Sequence, residues 1–162
     1  MRNMEQTHVL SVLVTDNSGV LVRIAGLFSR RGYSIQSIIA ASTETEGISR
    51  MTIVVNGDEN TLEQIEKQLL KLIEVREVKV LAPEKSVRRE HVLVKAGCSE
   101  ESRNGLIDLA NLFKAKVVDV GEDNLMLELT GEPGSVDAFI RLARPYGIKK
   151  LVKTGITALE RG

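Results

Sequence analysis

The sequence predicts an α+β protein made of two consecutive βαββαβ units, each with the ferredoxin-like arrangement in which two helices cover one face of a four-stranded antiparallel sheet. Two observations predict this fold class. Strand-like and helix-like runs follow one another in that order twice along the 162 residues, without obvious residue identity between the halves. A polar, charged segment at 83–90 separates the two series, as a linker would. We therefore expect a first domain at 1–82 and a second domain at 91–162.

The elements of the first domain follow from its apolar spacing and its turn formers. Val and Leu dominate the first strand, which ends at the turn formers of 16–19. Apolar residues then recur at helical spacing as far as Phe28, and Gly32 stands where a helix commonly ends. Asn60 is expected to cap the second helix, with Glu63 completing a capping box. In order, the predicted elements are a strand at 8–15, a helix from Val20, strands at 33–41 and 50–55 that flank a loop at 43–47, a helix after Asn60 and a strand at 75–81.

The second domain is predicted in the same way. Ser99 is expected to cap one helix and Pro133 to start another, which Pro145 and Gly147 then end. The Gly-Glu-Asp-Asn sequence at 121–124 indicates the turn of a hairpin. In order, the predicted elements are a strand at 91–96, a helix after Ser99, strands at 116–120 and 125–129, a helix from Pro133 and a strand at 148–156.

The first strand is apolar on both of its faces. Leu10, Val12 and Val14 point to one side of the predicted sheet, and Val9 and Leu13 point to the other. Because the two helices cover only one side, the other side needs a partner. We interpret this open face as a dimer surface.

The composition excludes several classes of protein. The 22 basic and 22 acidic side chains cancel, and there is no Trp, so neither a basic patch nor stacking aromatics favour a nucleic-acid partner. No apolar run approaches the ~20 residues that cross a bilayer. The lone Cys98 cannot form an intramolecular disulfide and is expected to be a buried or idle thiol. Residues 1–8 do not resemble a secretory signal, so we expect a cytoplasmic protein.

The sequence shows no enzymatic motif: it contains no P-loop, no G-x-S-x-G and no H-E-x-x-H. His8 and His91 each stand just before a strand, and a surface role is favoured over metal ligation because zinc normally takes three or four ligands. The enzymatic alternative is a small hydrolase of the acylphosphatase type, which uses an Arg and an Asn. Here these would be Arg23 with Asn17 or Asn56.

The feature that stands out is the turn before the first helix, formed by Asp16, Asn17, Ser18 and Gly19. Free backbone N–H groups and the positive end of the helix dipole make such a position suitable for a small carboxylate. Gly19 lets a ligand approach the backbone closely, and the side chain of Asp16 or Asn17 could receive an ammonium group. The residues alone nevertheless favour a simpler interpretation, in which the cluster only caps the helix.

Several long runs resemble one family, the small regulatory subunits of acetohydroxyacid synthase, also called acetolactate synthase. In the first half the runs are LSVLVTDNSGVLVRIAGLFSRRGYSIQSI, SRMTIVV and EQIEKQLLKLIEV; in the second they are REHVLVK, KAKVVDVGED, LELTGEPGSVDAFI and KTGITALERG. The resemblance covers essentially the whole chain in order. The turn motif alone would indicate only an ACT domain, whereas the GLFSRRGYSI and SRMTI runs are specific to the subunit.

The resemblance implies a non-catalytic homodimer that associates through its ACT domains. Such a protein binds a large catalytic subunit, raises its activity and confers feedback inhibition by valine or a related branched-chain amino acid. The thiamine diphosphate, magnesium and FAD of the reaction belong to the catalytic subunit, so no cofactor is expected in this chain. Some members carry Asn where Asp16 and Ser34 stand here.

By position, the resemblance implies an effector site between two protomers. One protomer would contribute the turn after its first strand, and the other would contribute the start of its second strand. The implied effector-binding residues are Asp16, Asn17, Ser18, Gly19, Val20 and Leu21 on one side, with Ser34 and Ile35 on the other.

Two questions stay open from the sequence. The main rival to the regulatory subunit is a free-standing ACT-domain sensor that regulates another enzyme or transcription. For contact with the catalytic subunit, Arg23, Arg30 and Arg31 are candidates, although a solvated helix face explains them as well.

Overall fold

The structure is a computed structural model that describes residues 6–162. The chain divides into two compact units, the first running to Val87 and taking back Ile156–Gly162, and the second comprising Arg88–Gly155. The elements are β1 (Gln6–Thr15), α1 (Val20–Arg31), β2 (Ser34–Ser42), β3 (Ile48–Gly57), α2 (Glu59–Leu69), β4 (Val75–Val80), β5 (Ser86–Gly97), α3 (Glu100–Leu112), β6 (Lys116–Val120), β7 (Asn124–Gly131), α4 (Pro133–Ala143), β8 (Ile148–Lys153) and β9 (Thr157–Glu160). The order βαββαβ occurs in both units, which confirms the predicted fold class.

The sheet of the first unit has the strand order β2-β3-β1-β4, with every neighbouring pair antiparallel. One face of β1 packs under α1 and α2, because both helices carry apolar side chains at helical spacing. The most deeply buried side chains of this core are Leu10, Val12, Val14, Ile24, Phe28, Met51, Ile53, Ile65 and Leu69. The core is therefore aliphatic with a single buried aromatic ring.

The ends of the two helices in this unit follow local chemistry. Gly32 ends α1 with φ +67°, and its N–H donates to the carbonyls of Phe28 and Ser29, as predicted. The predicted cap of α2 was wrong. Asp58 caps this helix instead, since its backbone is extended and its Oδ1 accepts from the N–H of Thr61 at 2.8 Å. Asn60 lies inside the first turn.

The open face of this sheet is covered in part by the C-terminal segment of the same chain. Ile156 and Ala158 pack on Val9, Val54 and Leu81, and Ala158 is 4% exposed. Residues 156–160 therefore cover part of the face that was interpreted from the sequence as a dimer surface, and a dimer contact on the rest of it stays a prediction.

The division between the units also differs from the predicted boundaries. Pro83–Lys85 forms a 3₁₀ turn, and the rest of the predicted linker belongs to β5. Ser86 is buried, and its Oγ donates to the carbonyl of Ala82 at 2.8 Å, which fixes the start of that strand. The predicted last strand at 148–156 ends at Lys153, and a further strand that was not predicted, β9 at 157–160, belongs to the first unit.

The second unit repeats the architecture with the order β6-β7-β5-β8, and its neighbouring strands are again antiparallel. Ser99 caps α3 in a capping box with Ser102, and Pro133 occupies the first turn of α4, as predicted for both helix starts. Its core is buried between the sheet and the two helices. The most deeply buried side chains are Val92, Val94, Leu106, Leu125, Leu127, Val136 and Phe139.

Candidate functional site

The turn between β1 and α1 is held at both sides by backbone hydrogen bonds. The N–H of Thr15 donates to the carbonyl of Glu74 at 2.9 Å, and the N–H of Asp16 donates to that of Gly47 at 2.8 Å. The Asn17 amide donates to Thr15 Oγ1 at 3.3 Å. The turn is thus anchored to the loops before β4 and before β3, while the side chains of 16–18 remain exposed.

The start of α1 has no side-chain cap from the described residues. Gly19 occupies the cap position with φ +90°, a left-handed conformation that favours glycine. The N–H of Val20 donates to the Asn17 carbonyl, and the N–H of Arg23 donates to the Gly19 carbonyl. Within the described residues, the N–H groups of Leu21 and Val22 have no backbone acceptor in the preceding turn. No side chain of this cluster caps the helix, so the side-chain capping that the residues alone favoured is not seen among the described residues.

The space beside this helix start is open. A Cβ built on Gly19 would meet no heavy atom within 4 Å. Because the positive end of the α1 dipole points into this space, a small carboxylate would be stabilised there. The side chain of Val20 is buried and anchors the turn in the core. The side chain of the next residue, Leu21, is 46% exposed.

Glu74 is a neighbour of the turn that the sequence did not single out. Its carboxylate is 9% exposed and forms an ion pair with Arg23, whose side chain is 62% exposed. The second oxygen of this carboxylate, Oε2, is buried without a hydrogen-bond partner among the described residues. The pair ties the first turn of α1 to the loop before β4. No local pattern marks Glu74, since it follows the apolar end of α2 in the sequence.

The structure does not assemble the hydrolase alternative. The guanidinium of Arg23 is occupied by Glu74, and the amide of Asn17 is directed at Thr15. Asn56 lies at the other end of the sheet, where its Oδ1 accepts from Thr7 Oγ1 at 2.9 Å. Arg23 and Asn56 therefore cannot act on one substrate.

The second group of predicted site residues, Ser34 and Ile35, lies far from the turn. Ser34 is opposite Asn56 on β3, and Asn56 is opposite Thr7 near the start of β1, whereas Asp16 follows the end of β1. Ten strand residues at ~3.3 Å each separate these ends by roughly 30 Å. A cavity of about 470 Å³ opens beside Ser34. The two groups of predicted site residues therefore lie at opposite ends of one sheet.

The remaining candidate side chains have ordinary surroundings. His8 Nε2 lies 3.1 Å from the Gly57 carbonyl, and His91 Nε2 lies 2.9 Å from Glu128 Oε1. Cys98 is a buried free thiol. Among residues 6–162, no three His, Cys, Asp or Glu side chains are grouped so as to hold a metal ion. In the same part of the chain, no helix combines the length and apolar character of a membrane span.

Comparison with known proteins covers both units. The family model for the acetohydroxyacid synthase small-subunit-like ACT domain matches residues 10–77, and the model for the small subunit of acetolactate synthase matches residues 89–162. The probable acetolactate synthase small subunit of Methanothermobacter thermautotrophicus is 48% identical over 96% of this chain and 94% of its own length. The acetolactate synthase small subunit of Mycolicibacterium smegmatis is 46% identical over 100% of this chain and 95% of its own length.

A solved structure agrees with this result. The acetolactate synthase small subunit of Thermotoga maritima superposes with a TM-score of 0.90 at 39% identity, covering 97% of this chain and 98% of that one. The likeness extends over both βαββαβ units and not only over the first. The chain belongs to the acetolactate synthase small-subunit family, and its first unit is an ACT domain.

Proposed function

We propose that this chain is the non-catalytic regulatory subunit of acetolactate synthase and that it acts in the cytoplasm. In this role it raises the activity of a separate catalytic subunit and makes that subunit sensitive to valine or another branched-chain amino acid. The thiamine diphosphate, magnesium and FAD of the reaction are then held by the catalytic subunit. The family supports the regulatory role, and the geometry of the ACT domain supports the amino-acid effector.

The observation that carries the effector proposal is the uncapped start of α1. The N–H groups of Leu21 and Val22 belong to the first turn of α1, next to the open space at Gly19, and they suit the α-carboxylate of an amino acid. The exposed side chains of Asp16 and Asn17 then lie where they can receive the α-ammonium group. The exposed apolar surface of Leu21 suits a branched aliphatic side chain.

Pairing of two chains through the edge strand β2 would bring the two groups of predicted site residues together. Ser34 begins β2 and Ser42 ends it, and the turn after β1 lies at the Ser42 end because Asp16 bonds to Gly47 in the following loop. If two ACT domains pair antiparallel through β2, the start of one β2 lies beside the end of the other. Ser34 and Ile35 of one protomer then approach the turn of its partner, and the homodimer has two equivalent sites.

This arrangement gives valine a physical means of regulation. An effector that bridges two protomers stabilises whichever dimer arrangement it binds more tightly. A coupling free energy of ~1–3 kcal/mol between effector and catalytic subunit is enough for a physiological switch. The Arg23–Glu74 pair joins the first helix, next to the proposed effector turn, to the loop before β4.

The role is tested by adding the full chain to a purified catalytic subunit and measuring acetolactate formation with and without valine. We expect stimulation without valine and inhibition with it. Stimulation that no branched-chain amino acid reverses would contradict the effector site. Valine binding without any stimulation would instead favour the free-standing ACT sensor.

A mixed dimer tests whether the site is shared. Two chains are co-expressed with different tags, one carrying Gly19→Asp and the other Ser34→Glu. In a shared site, one of the two seams of the mixed dimer holds both substitutions and the other holds none. Calorimetry should therefore detect one valine site per mixed dimer and none in either homodimer. A site contained within one chain could not include both residues, which lie at opposite ends of the sheet, so it predicts that the Ser34→Glu homodimer still binds valine at two sites, and that result would contradict the proposal.

A further inference from the structure

The open face of the ACT sheet carries a cleft that lies apart from the proposed effector site. It is found where residues of β9 face residues of β2 and β3, and its volume is about 280 Å³. Cavities that hold drug-sized ligands measure roughly 300–1,000 Å³, so this cleft suits a smaller molecule. The lining residues that decide its chemistry are Ile39, Glu44, Arg50, Thr52, Ala158 and Leu159.

One side of this cleft presents a cation that has no carboxylate partner. Arg50 is half-buried on β3, and its Nη1 donates to Ser11 Oγ at 2.7 Å. Within residues 6–162, its guanidinium forms no ion pair and no other hydrogen bond. A guanidinium has five N–H donors, so most of those of Arg50 are left without an acceptor in this part of the chain. Because partial burial penalises a charge without a partner, Arg50 favours an anion in the cleft.

A buried hydroxyl lies beside this guanidinium. Thr52 is opposite Ser11 in the pairing of β1 with β3, and directly opposed residues of antiparallel strands have Cα atoms about 4.5–5.5 Å apart. The bond from Arg50 to Ser11 therefore brings the guanidinium next to Thr52. Thr52 lines the cleft and is 3% exposed, and its Oγ1 has no hydrogen-bond partner among the described residues. The hydroxyl and the guanidinium can thus donate to the two oxygens of one anion.

The other walls of the cleft are apolar. Ile39 lies opposite Thr52 on β2, and Ala158 is packed on the open face of the sheet. Leu159, which also lines the cleft, is 59% exposed. An inorganic anion would leave these side chains without a contact. A carboxylate with a short hydrocarbon chain would satisfy the charge and also cover the apolar walls.

Other charged side chains of this face are paired with one another. Lys79 is opposite Ser11 on the neighbouring strand β4, and its Nζ lies 3.2 Å from Glu160 Oε2 and 3.7 Å from Glu77 Oε1. Arg50 differs from Lys79, because no carboxylate among the described residues lies within ion-pair distance of it. Even Glu44, which lines the same cleft, is exposed and forms no ion pair with Arg50.

We propose that this cleft binds a short-chain carboxylate. One carboxylate oxygen accepts from the guanidinium of Arg50 and the other accepts from Thr52 Oγ1, while the hydrocarbon chain lies between Ile39 and β9. The site differs from the proposed effector site in place and in chemistry. It lies on the sheet face away from the helices, and it uses a side-chain cation instead of the N–H groups at the start of α1.

Nuclear magnetic resonance of the isotope-labelled full chain, titrated with butyrate, tests the site. We expect saturable shifts of the backbone amides of Ala41, Thr52 and Ala158. Arg50→Gln should weaken butyrate binding at least about tenfold, because it removes a charge-assisted hydrogen bond. The matched control is Arg76→Gln, which removes the same charge from an exposed arginine of β4 outside the cleft. Its affinity should change by less than about twofold, since water and salt screen a distant exposed charge.

Two further substitutions test the ligand class. Thr52→Val keeps the shape of a buried strand residue and should weaken butyrate binding about fivefold, because it removes one hydrogen bond. Glu44→Gln removes a charge of the same sign as the ligand and should not weaken binding. Inorganic phosphate is the alternative probe. Phosphate that binds the cleft more tightly than butyrate, or weaker butyrate binding in Glu44→Gln, would overturn the assignment to a carboxylate.

An excess of valine separates this site from the effector site. Butyrate shifts at Thr52 should persist with valine present, and they should appear whether or not valine binds, so the two proposals can fail separately. Circular dichroism checks that each variant folds. No saturable shift with butyrate, shifts confined to the start of α1, or unchanged affinity in Arg50→Gln would overturn the proposal.

Discussion

The first helix of each unit follows the first strand of its sheet, yet the two helices begin in different ways. α3 begins with a complete capping box, in which Ser99 and Ser102 bond each other's backbone N–H groups. α1 begins at Gly19 in a left-handed conformation, without a side-chain cap from the described residues. In two units of the same architecture, the first N–H groups of the helix are therefore capped by a side chain in the second unit and not in the first.

The loops beside the two helix starts also differ, because in the second unit the helix itself donates hydrogen bonds to the neighbouring loop. In the second unit, Arg103 Nη2 donates to the carbonyls of Gly121 and Glu122 at 3.0 and 2.6 Å, and the N–H of Cys98 donates to the carbonyl of Asp123. The β6–β7 turn is thus drawn against α3. In the ACT domain, the loop before β3 bonds Asp16 through the Gly47 carbonyl. A helix start can bind a ligand only where the chain itself does not satisfy its N–H groups, so the free start of α1 supports the proposal of an effector site in the first unit.

The largest expected effect comes from filling the free start of α1. Gly19→Asp puts a carboxylate beside that of the effector, and a close like-charge contact costs several kcal/mol, so valine affinity should fall at least about 100-fold. Gly19→Asn is the matched control, because Asn has a similar shape, no charge and a tolerance for positive φ. Its loss should be within about tenfold. Calorimetry with valine measures both, and equal losses would show that backbone strain, not charge, is responsible.

A smaller effect is expected at the satisfied helix start. Ser99→Ala removes the side-chain cap of α3 and should lower the free energy of unfolding by about 1 kcal/mol. Ser18→Ala, beside the start of α1, removes an exposed hydroxyl outside the cap position and should change it by less than ~0.5 kcal/mol. Urea unfolding followed by hydrogen exchange assigns each loss to its unit. A comparable loss for Ser18→Ala would contradict the difference between the two starts.

The smallest effect is expected at low pH in the turn beside α3. Hydrogen bonds from Lys149 and Asn124, together with the charge of Lys149, lower the pKa of Asp123 from 3.8 to about 2. A lowered pKa in the folded state adds stability above the ordinary value, and that contribution is lost as the pH falls through about 2. Wild type should therefore lose slightly more stability than Asp123→Asn between these values. Thermal unfolding at several pH values measures this, and parallel profiles would contradict it.

Much of the fold could be predicted because its signals are local. Gly32, Ser99 and Pro133 mark helix ends through the conformation or hydrogen bonding of a few neighbouring residues. The cap of α2 was missed because Asp58 and Asn60 are both good caps and only the backbone conformation decides between them. For the site, the sequence singled out the turn of 16–19 but not Glu74, whose proximity to Arg23 depends on how α2 and β4 pack.

The sequence by itself determined the order of the elements, the family and the turn at Gly19, since periodicity, turn formers and long similar runs are all read along the chain. Only the tertiary structure decided what covers each surface. Ala158 packs on the open face of the ACT sheet, and Ser34 lies at the opposite end of that sheet from Asp16. The valines of β6 lie on an exposed sheet edge. These facts depend on contacts between residues distant in sequence, and no local pattern specifies such contacts.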